Sequence, residues 1–216
     1  MLERKNVIHN FLTPLFLCII FFVGMIGHLL PITKLLMISL TPFTLLLAGV
    51  VTLYASVQKG NLKLIIWCSI GYTVIFTLEV AGVKTGFIFG SYQYGDILGL
   101  KLFDVPLIIG FNWVIVILGA IGIASRIHRS ALQIALLTGT FAALFDIMLE
   151  PVAVKLGYWT WEHGFIPLQN YYAWFTIGFL AALLSSKLKL ELEDSLFIYY
   201  FLIQFIFFIL LSIFMV

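Results

Sequence analysis

The chain has 216 residues, of which 62% are hydrophobic and only 10% are charged, and its formal net charge is +2. A soluble domain usually has about 25% charged residues, and one core of this size could not bury so much apolar surface. The composition therefore excludes an ordinary cytosolic enzyme, a disordered chain and a DNA-binding domain. So small a net charge also gives no reason to expect a nucleic-acid partner.

Seven apolar runs are long enough to cross a bilayer, which requires about 20 residues each. Backbone amides in lipid must be paired within their own segment, so each run is predicted to be a helix, and the lack of period-two alternation disfavours a membrane barrel. We predict an all-α fold, a polytopic integral membrane helix bundle that forms a single transmembrane domain over residues 1–216. The predicted spans lie at about 9–28, 36–57, 62–83, 105–125, 131–151, 171–187 and 195–215.

The first run has Arg4 and Lys5 before it, as a signal peptide would. However, the apolar stretch from Phe11 to Ile26 is long for a signal peptide, and no Ala-x-Ala type of cleavage site follows it. We therefore expect a retained membrane anchor.

Lysine and arginine are unequally divided between the two faces that seven spans create. Because positive charge is retained on the cytoplasmic side, the N-terminus is predicted to be cytoplasmic and the C-terminus outside, in a bacterial or archaeal cell membrane. Eight basic residues fall on the N-terminal face (Arg4, Lys5, Lys59, Lys63, Arg126, Arg129, Lys187 and Lys189) and four on the outer face (Lys34, Lys84, Lys101 and Lys155).

The acidic residues have the opposite distribution. Glu79 and Asp146 are predicted to lie about one turn inside the outer ends of their helices, where a carboxylate is costly and marks a functional site by default. Asp146 and Glu150 are four residues apart and share one helix face, and Pro151 predicts a helix stop, or a kink if the helix continues. Six acids map to the outer face (Glu79, Asp96, Asp104, Asp146, Glu150 and Glu162), whereas Glu3, Glu191, Glu193 and Asp194 are expected to be solvated cytoplasmic charges.

Two long connections on the outer face, each of about 20 residues, are rich in glycine, tryptophan and tyrosine. Long loops in compact proteins are usually functional or disordered, and aromatic content argues against disorder. An aromatic belt at the lipid headgroups is one explanation for these tryptophans and tyrosines, particularly for Trp159 and Trp161. Because the intramembrane acids crowd the same face, we favour a mostly apolar cavity with a few convergent polar groups.

The reactive side chains limit the chemistry of such a site. The histidines and cysteines do not have zinc-site spacing, and no nucleotide-binding glycine motif is present, so no metal ligands are predicted. A carboxyl group in an apolar pocket can hold a proton near neutral pH and deliver it to an alkene. Tryptophan and tyrosine faces stabilise the resulting cation, and a second carboxylate can orient a water molecule. The same acids could instead line a proton or ion path.

Four blocks of the sequence resemble the carotenoid biosynthesis protein family that includes bisanhydrobacterioruberin hydratase. They are residues 79–94, with Gly-Phe-Ile-Phe-Gly-Ser-Tyr-Gln-Tyr at the end; 105–113, Val-Pro-Leu-Ile-Ile-Gly-Phe-Asn-Trp; 146–153, Asp-Ile-Met-Leu-Glu-Pro-Val-Ala; and 157–174. The last block departs from the family pattern at Ala173, where glycine is favoured.

The resemblance implies an enzyme that adds water across the terminal double bond of a linear carotenoid end group and produces a tertiary alcohol. Such a carotenoid hydratase needs no redox cofactor. Its expected partners are the hydrophobic carotenoid, water and the lipid bilayer, together with other enzymes of the carotenoid pathway.

The candidate site residues follow from depth and side-chain type. Glu79 and Asp146 are the leading acid/base pair, and Asp104 and Glu150 come second because they lie at span ends, where water can reach them. Eight further residues are predicted to line the pocket or orient water: Tyr92, Tyr94, Asn112, Trp113, Trp159, Asn170, Tyr171 and Trp174.

Two other functions stay open. A lycopene-type cyclase would begin with the same protonation, but a neighbouring double bond would capture the cation; Asn112 and Asn170, which can hold water, favour hydration. A carotenoid or lipid transporter would need polar groups in the cytoplasmic half of the spans, where Gln133 and Thr138 are the nearest candidates.

Overall fold

The computed structural model describes residues 2–57, 61–192 and 195–215, with side chains described from residue 12 onward. The described residues form seven α-helices, one short 3₁₀-helix (Asp96–Leu98) and four short strands. Six residues that were predicted to lie on the cytoplasmic face are outside the part of the chain whose side chains are described: Glu3, Arg4, Lys5, Lys59, Glu193 and Asp194. The helices are α1 (Leu2–Leu29), α2 (Pro31–Val57), α3 (Leu62–Thr85), α4 (Leu107–Ile127), α5 (Ala131–Leu156), α6 (Leu168–Lys187) and α7 (Leu196–Met215).

The prediction of an all-α membrane bundle is confirmed. Within the described residues, six helices are long and apolar enough to cross a membrane, all except α6. The polar residues Gln169 and Asn170 in its first turn lower the mean hydropathy of α6. Helix α4 is the most deeply buried of the six, while α1 and α2 turn large apolar side chains outward, as with Ile32 at 90% exposure. In a membrane protein such faces contact lipid.

Helix α5 runs further than the sequence predicted. It passes through Pro151 and ends at Leu156, where Gly157 adopts a left-handed conformation (φ 74°) and its N–H bonds to the Ala153 and Val154 carbonyls. Glycine adopts this conformation without the steric penalty that a Cβ brings. Pro151 therefore does not stop the helix, and Asp146 lies ten residues before the helix end instead of about one turn.

A small sheet joins the two long connections at one end of the bundle, which we call the loop face. Strand β1 (Tyr92–Tyr94) pairs antiparallel with β4 (Trp159–Trp161), with Tyr92 opposite Trp161 and Tyr94 opposite Trp159. Side chains alternate between the faces of a strand, so the four rings share the face toward the helices. Strands β2 (Lys101–Leu102) and β3 (Val105–Pro106) form a second ladder. The sequence analysis predicted no strands here.

Candidate functional site

Three carboxyl groups meet beneath the β1–β4 sheet, in what we call the carboxylate cavity. Glu79 comes from α3, and Asp146 and Glu150 come from α5; all three are at most 3% exposed. The space open to the centre of a water molecule is about 20 Å³, which is enough for one water. The walls are Glu79, Phe89, Tyr92, Tyr94, Ile109, Trp113, Asp146, Leu149, Glu150, Trp159, Trp161, Asn170 and Trp174.

Glu79 is held by two phenols from strand β1. The hydroxyls of Tyr92 and Tyr94 donate to Glu79 Oε2 at 2.5 and 2.8 Å. Burial raises the pKa of both Tyr92 and Tyr94 well above the usual range, and the charge of Glu79 adds to the effect. Both phenols therefore stay protonated and act as hydrogen-bond donors.

Asp146 and Glu150 share one amide from the neighbouring helix α6. Asn170 Nδ2 donates to Asp146 Oδ2 at 2.5 Å and to Glu150 Oε1 at 3.1 Å. An amide NH₂ group has two hydrogens, one for each carboxyl. The i, i+4 spacing in α5 places both acids on the face that packs against α6.

Glu150 also accepts hydrogen bonds from two tryptophans of strand β4. The indole Nε1 atoms of Trp159 and Trp161 both lie 2.9 Å from Glu150 Oε2. The expectation that water reaches Glu150 at a span end was wrong, because α5 continues past it and the sheet covers it. Among the described contacts, Glu150 thus accepts three hydrogen bonds and Asp146 accepts one.

Aromatic rings form much of the remaining wall. Trp113 and Trp174 are stacked with their ring centroids 3.6 Å apart, and Phe89 stacks on Trp174 at 5.3 Å. Tyr92 lies against Trp161 with centroids 5.0 Å apart. Indole and phenol faces attract cations through the quadrupole of the ring. Within the described residues, no three His, Cys, Asp or Glu side chains are arranged to hold a metal ion.

Two further cavities adjoin the carboxylate cavity. The first, which we call the apolar chamber, is bounded by α1, α2, α4, α5 and α7 and shares Ile109, Trp113, Leu149 and Trp159 with the carboxylate cavity. The second, the polar cleft, opens at the loop face and is lined by Val83, Lys84, Thr85, Gly86, Ser91, Tyr92, Gln93, Thr160, Trp161 and Glu162.

Three predicted site residues lie elsewhere. Asp104 is exposed in the turn between β2 and β3, with a φ of 68°. Asn112 lines the apolar chamber, where its Oδ1 accepts from Tyr200 Oη at 2.7 Å and Gln204 Nε2 at 3.0 Å. Tyr171 is half-buried in α6 and is not among the described residues that line the carboxylate cavity.

The structure brings the other nine predicted residues together around the carboxylate cavity. Trp161 also lines the cavity, although it was not among the predicted site residues and an aromatic belt was one explanation for it. The alternation Trp159-Thr160-Trp161, which mirrors Tyr92-Gln93-Tyr94, was the signal that could have identified it. Phe89, Ile109 and Leu149 carry no comparable signal, because apolar residues are everywhere in the chain.

The similarity to known proteins extends well beyond the residues of the site. The family model described as carotenoid biosynthesis protein matches residues 40–216. Bisanhydrobacterioruberin hydratase of Haloarcula japonica is 32% identical over 126 residues, an alignment that covers 50% of this chain and 40% of that protein. The chain thus spans less than half the length of this curated relative. No solved structure matches the chain.

Proposed function

The chain belongs to the carotenoid biosynthesis protein family, and we propose that it is a membrane enzyme that hydrates the terminal double bond of a linear carotenoid. One observation carries this proposal: three buried carboxyl groups and a ring of aromatic side chains surround a space of about 20 Å³, room for one water. The similar protein of Haloarcula japonica is named a hydratase, which agrees with the proposal.

We assign Asp146 as the proton donor. Hydrogen-bond donors stabilise the charged form of a carboxyl group. Glu150 accepts three hydrogen bonds and Glu79 accepts two, whereas Asp146 accepts one in the described structure. Asp146 is therefore the acid whose surroundings favour the carboxylate least.

Hydration then proceeds in two steps. The Asp146 proton adds to the CH carbon of the terminal trisubstituted alkene, whose π electrons form the new C–H bond and leave a tertiary cation. The water oxygen bonds to that cation while Glu79 takes a water proton as general base, which gives the tertiary alcohol. The proton on Glu79 returns to Asp146 through water before the next turnover.

The aromatic walls stabilise the cation between these steps. A desolvated aromatic face contributes about 2 kcal/mol or more to a cation placed over it. Trp113, Trp174 and Trp161 line the same cavity as the acids. In this mechanism the aromatic rings and acids replace a cofactor.

The proposal is tested by expressing the chain in a lycopene-producing host and measuring pigment masses. The wild-type protein should add the mass of one water to each hydrated end. Asp146→Asn and Glu79→Gln should each lower turnover by about 10²- to 10⁴-fold, the usual contribution of a general acid or base, while the protein remains in the membrane.

Asp104→Asn provides a matched control, because Asp104 is exposed and is not among the described residues that line the cavity; its turnover should equal that of the wild type. Wild-type turnover by both cavity variants would refute the acid/base assignment. A product of unchanged mass would show that the protein catalyses cyclisation, the alternative function, instead of hydration. Unchanged pigment in the wild type would refute both.

A transporter has less support from the described residues. Gln133 is exposed, and Thr138 donates to the Ile134 carbonyl of its own helix at 2.8 Å. Neither side chain extends the polar site toward the opposite face.

A further inference from the structure

An apolar groove between α1 and α7 continues the apolar chamber outward to the surface of the bundle. We call it the lipid groove; its walls include Cys18, Phe22 and Met25 of α1 and Ile206 of α7, and its volume is about 440 Å³. Phe22 and Ile206 are 59% and 52% exposed, and in a membrane bundle such side chains face lipid. The groove therefore opens to the bilayer.

Two phenylalanines separate the lipid groove from the apolar chamber. Phe21 and Phe207 line both spaces, and their rings meet edge to face with centroids 5.5 Å apart. An edge-to-face pair is worth only about 0.5–1.5 kcal/mol, and aromatic side chains can change rotamer. This pair closes the groove without a hydrogen bond or an ion pair.

At its other end, the apolar chamber reaches the acids. Trp113 and Trp159 line both the chamber and the carboxylate cavity. The order along the bundle is thus lipid groove, apolar chamber, carboxylate cavity. The chamber itself leaves only about 60 Å³ open to the centre of a water molecule. These spaces therefore admit a long, thin, apolar ligand with one reactive end only when the rings that separate them turn aside.

We propose that the lipid groove and the apolar chamber hold the polyene arm of the substrate, which comes directly from the bilayer between α1 and α7. The arm passes Phe21 and Phe207, and its terminal alkene reaches the acids beside Trp113 and Trp159. This inference rests on the proposed function for the identity of the ligand. A polyene leaves lipid at a high free-energy cost, and this route never exposes it to water.

In this proposal, water comes to the acids from the loop face and not along the lipid groove. The polar cleft at the loop face shares Tyr92 and Trp161 with the carboxylate cavity. The two reactants therefore meet at the acids from opposite directions, and the polyene arm prevents bulk water from filling the site.

Gly24 offers a substitution that fills the route. It lines the apolar chamber, and an added Cβ would lie 3.7 Å from Phe207 Cε2, an ordinary van der Waals distance. Gly24→Phe places a ring in the chamber. Val23 is the next residue of the same helix and is 55% exposed, so Val23→Phe adds a ring that points into lipid and is the matched control.

The first measurement is turnover of lycopene in reconstituted vesicles. Gly24→Phe should raise KM at least tenfold, and Val23→Phe should leave it at the wild-type value. An unchanged KM in Gly24→Phe, with hydration intact, overturns the route but leaves the proposed function standing. Absence of hydration in the wild type overturns the proposed function instead.

A second measurement uses the wild-type groove and needs neither turnover nor a bulky variant. Cys18 is a free, exposed cysteine of the groove, whereas Cys68 lies in α3 and lines neither the groove nor the chamber. In a Cys68→Ser background, lycopene should slow the labelling of Cys18 by a lipid-soluble maleimide at least threefold. An equal labelling rate with and without lycopene would refute the route, whatever the catalytic result.

Discussion

Replacing Asn170 by leucine removes the amide that joins Asp146 to Glu150. Leucine has the same branched arrangement of side-chain heavy atoms and a larger volume, so the substitution removes two hydrogen bonds at 2.5 and 3.1 Å without opening a cavity. A hydrogen bond to a charged group contributes about 1.5–3 kcal/mol. If both carboxyls were fully charged, the free energy of unfolding would fall by about 3–6 kcal/mol. With Asp146 protonated, as proposed, only the bond to Glu150 is charge-assisted, and the free energy of unfolding should fall by about 2–4.5 kcal/mol.

The same substitution should also affect the reaction. In the proposed mechanism Asn170 orients the proton donor Asp146 toward the alkene, and a small misplacement of a catalytic group can lower the rate about 10²-fold. The substitution leaves the apolar wall and the aromatic rings, which are proposed to bind the polyene, unchanged. We therefore expect kcat to fall and KM to remain within a factor of about two or three.

The assay compares purified Asn170→Leu and wild-type protein in the same detergent, by denaturant unfolding and by lycopene hydration in vesicles. Thr176→Val on the same helix is the control, because Thr176 is exposed and, among the described contacts, donates to the Tyr172 carbonyl of its own helix. It should change stability by less than about 0.5 kcal/mol. A loss below about 1 kcal/mol in Asn170→Leu, with an unchanged kcat, would refute the shared-amide reasoning.

Two further predictions concern the β1–β4 sheet. Tyr94→Phe removes the 2.8 Å donor to Glu79 and should lower kcat at least tenfold in the pigment assay. Because the pKa of Tyr94 is raised in the folded protein, the stability that depends on the protonated phenol is present below about pH 10 and is lost as the pH rises through the folded-state pKa. Alkaline unfolding should therefore be less steep in the variant. Gly95→Ala should destabilise the protein by about 1–3 kcal/mol, measured by thermal unfolding in detergent, because the new Cβ would press on the Gly157 carbonyl oxygen. Gly24→Ala is the control and should be tolerated, because its Cβ has an ordinary 3.7 Å neighbour. Equal stability of the two variants would contradict the predicted clash.

Only part of the site could be predicted from residue spacing. Asp146 and Glu150 were paired correctly because a helix places residues four apart on one face, and that rule needs no tertiary information. Asp104 was predicted with them because it also lies close to a span end, but sequence distance from a helix says nothing about whether a loop folds over the bundle or away from it. The structure leaves Asp104 exposed in a tight turn.

The partners of the acids depended on contacts between distant segments. Tyr94 and Trp159 are neighbours only because β1 pairs with β4. The alternation of aromatic and polar residues within each strand does not specify which strand is its partner. The same pairing places the indoles of β4 over Glu150 and the phenols of β1 over Glu79. No periodicity in a single loop specifies this arrangement.

The sequence by itself determined that the protein is a bundle of apolar helices in a membrane and that it belongs to the carotenoid biosynthesis family. The first follows because a run of about 20 apolar residues in lipid can pair its backbone only as a helix. Tertiary structure decided which acids share a cavity, which donors hold each one, and how the apolar chamber connects lipid to them. Those properties arise where separate helices and loops meet, and the order of residues along one segment does not encode them.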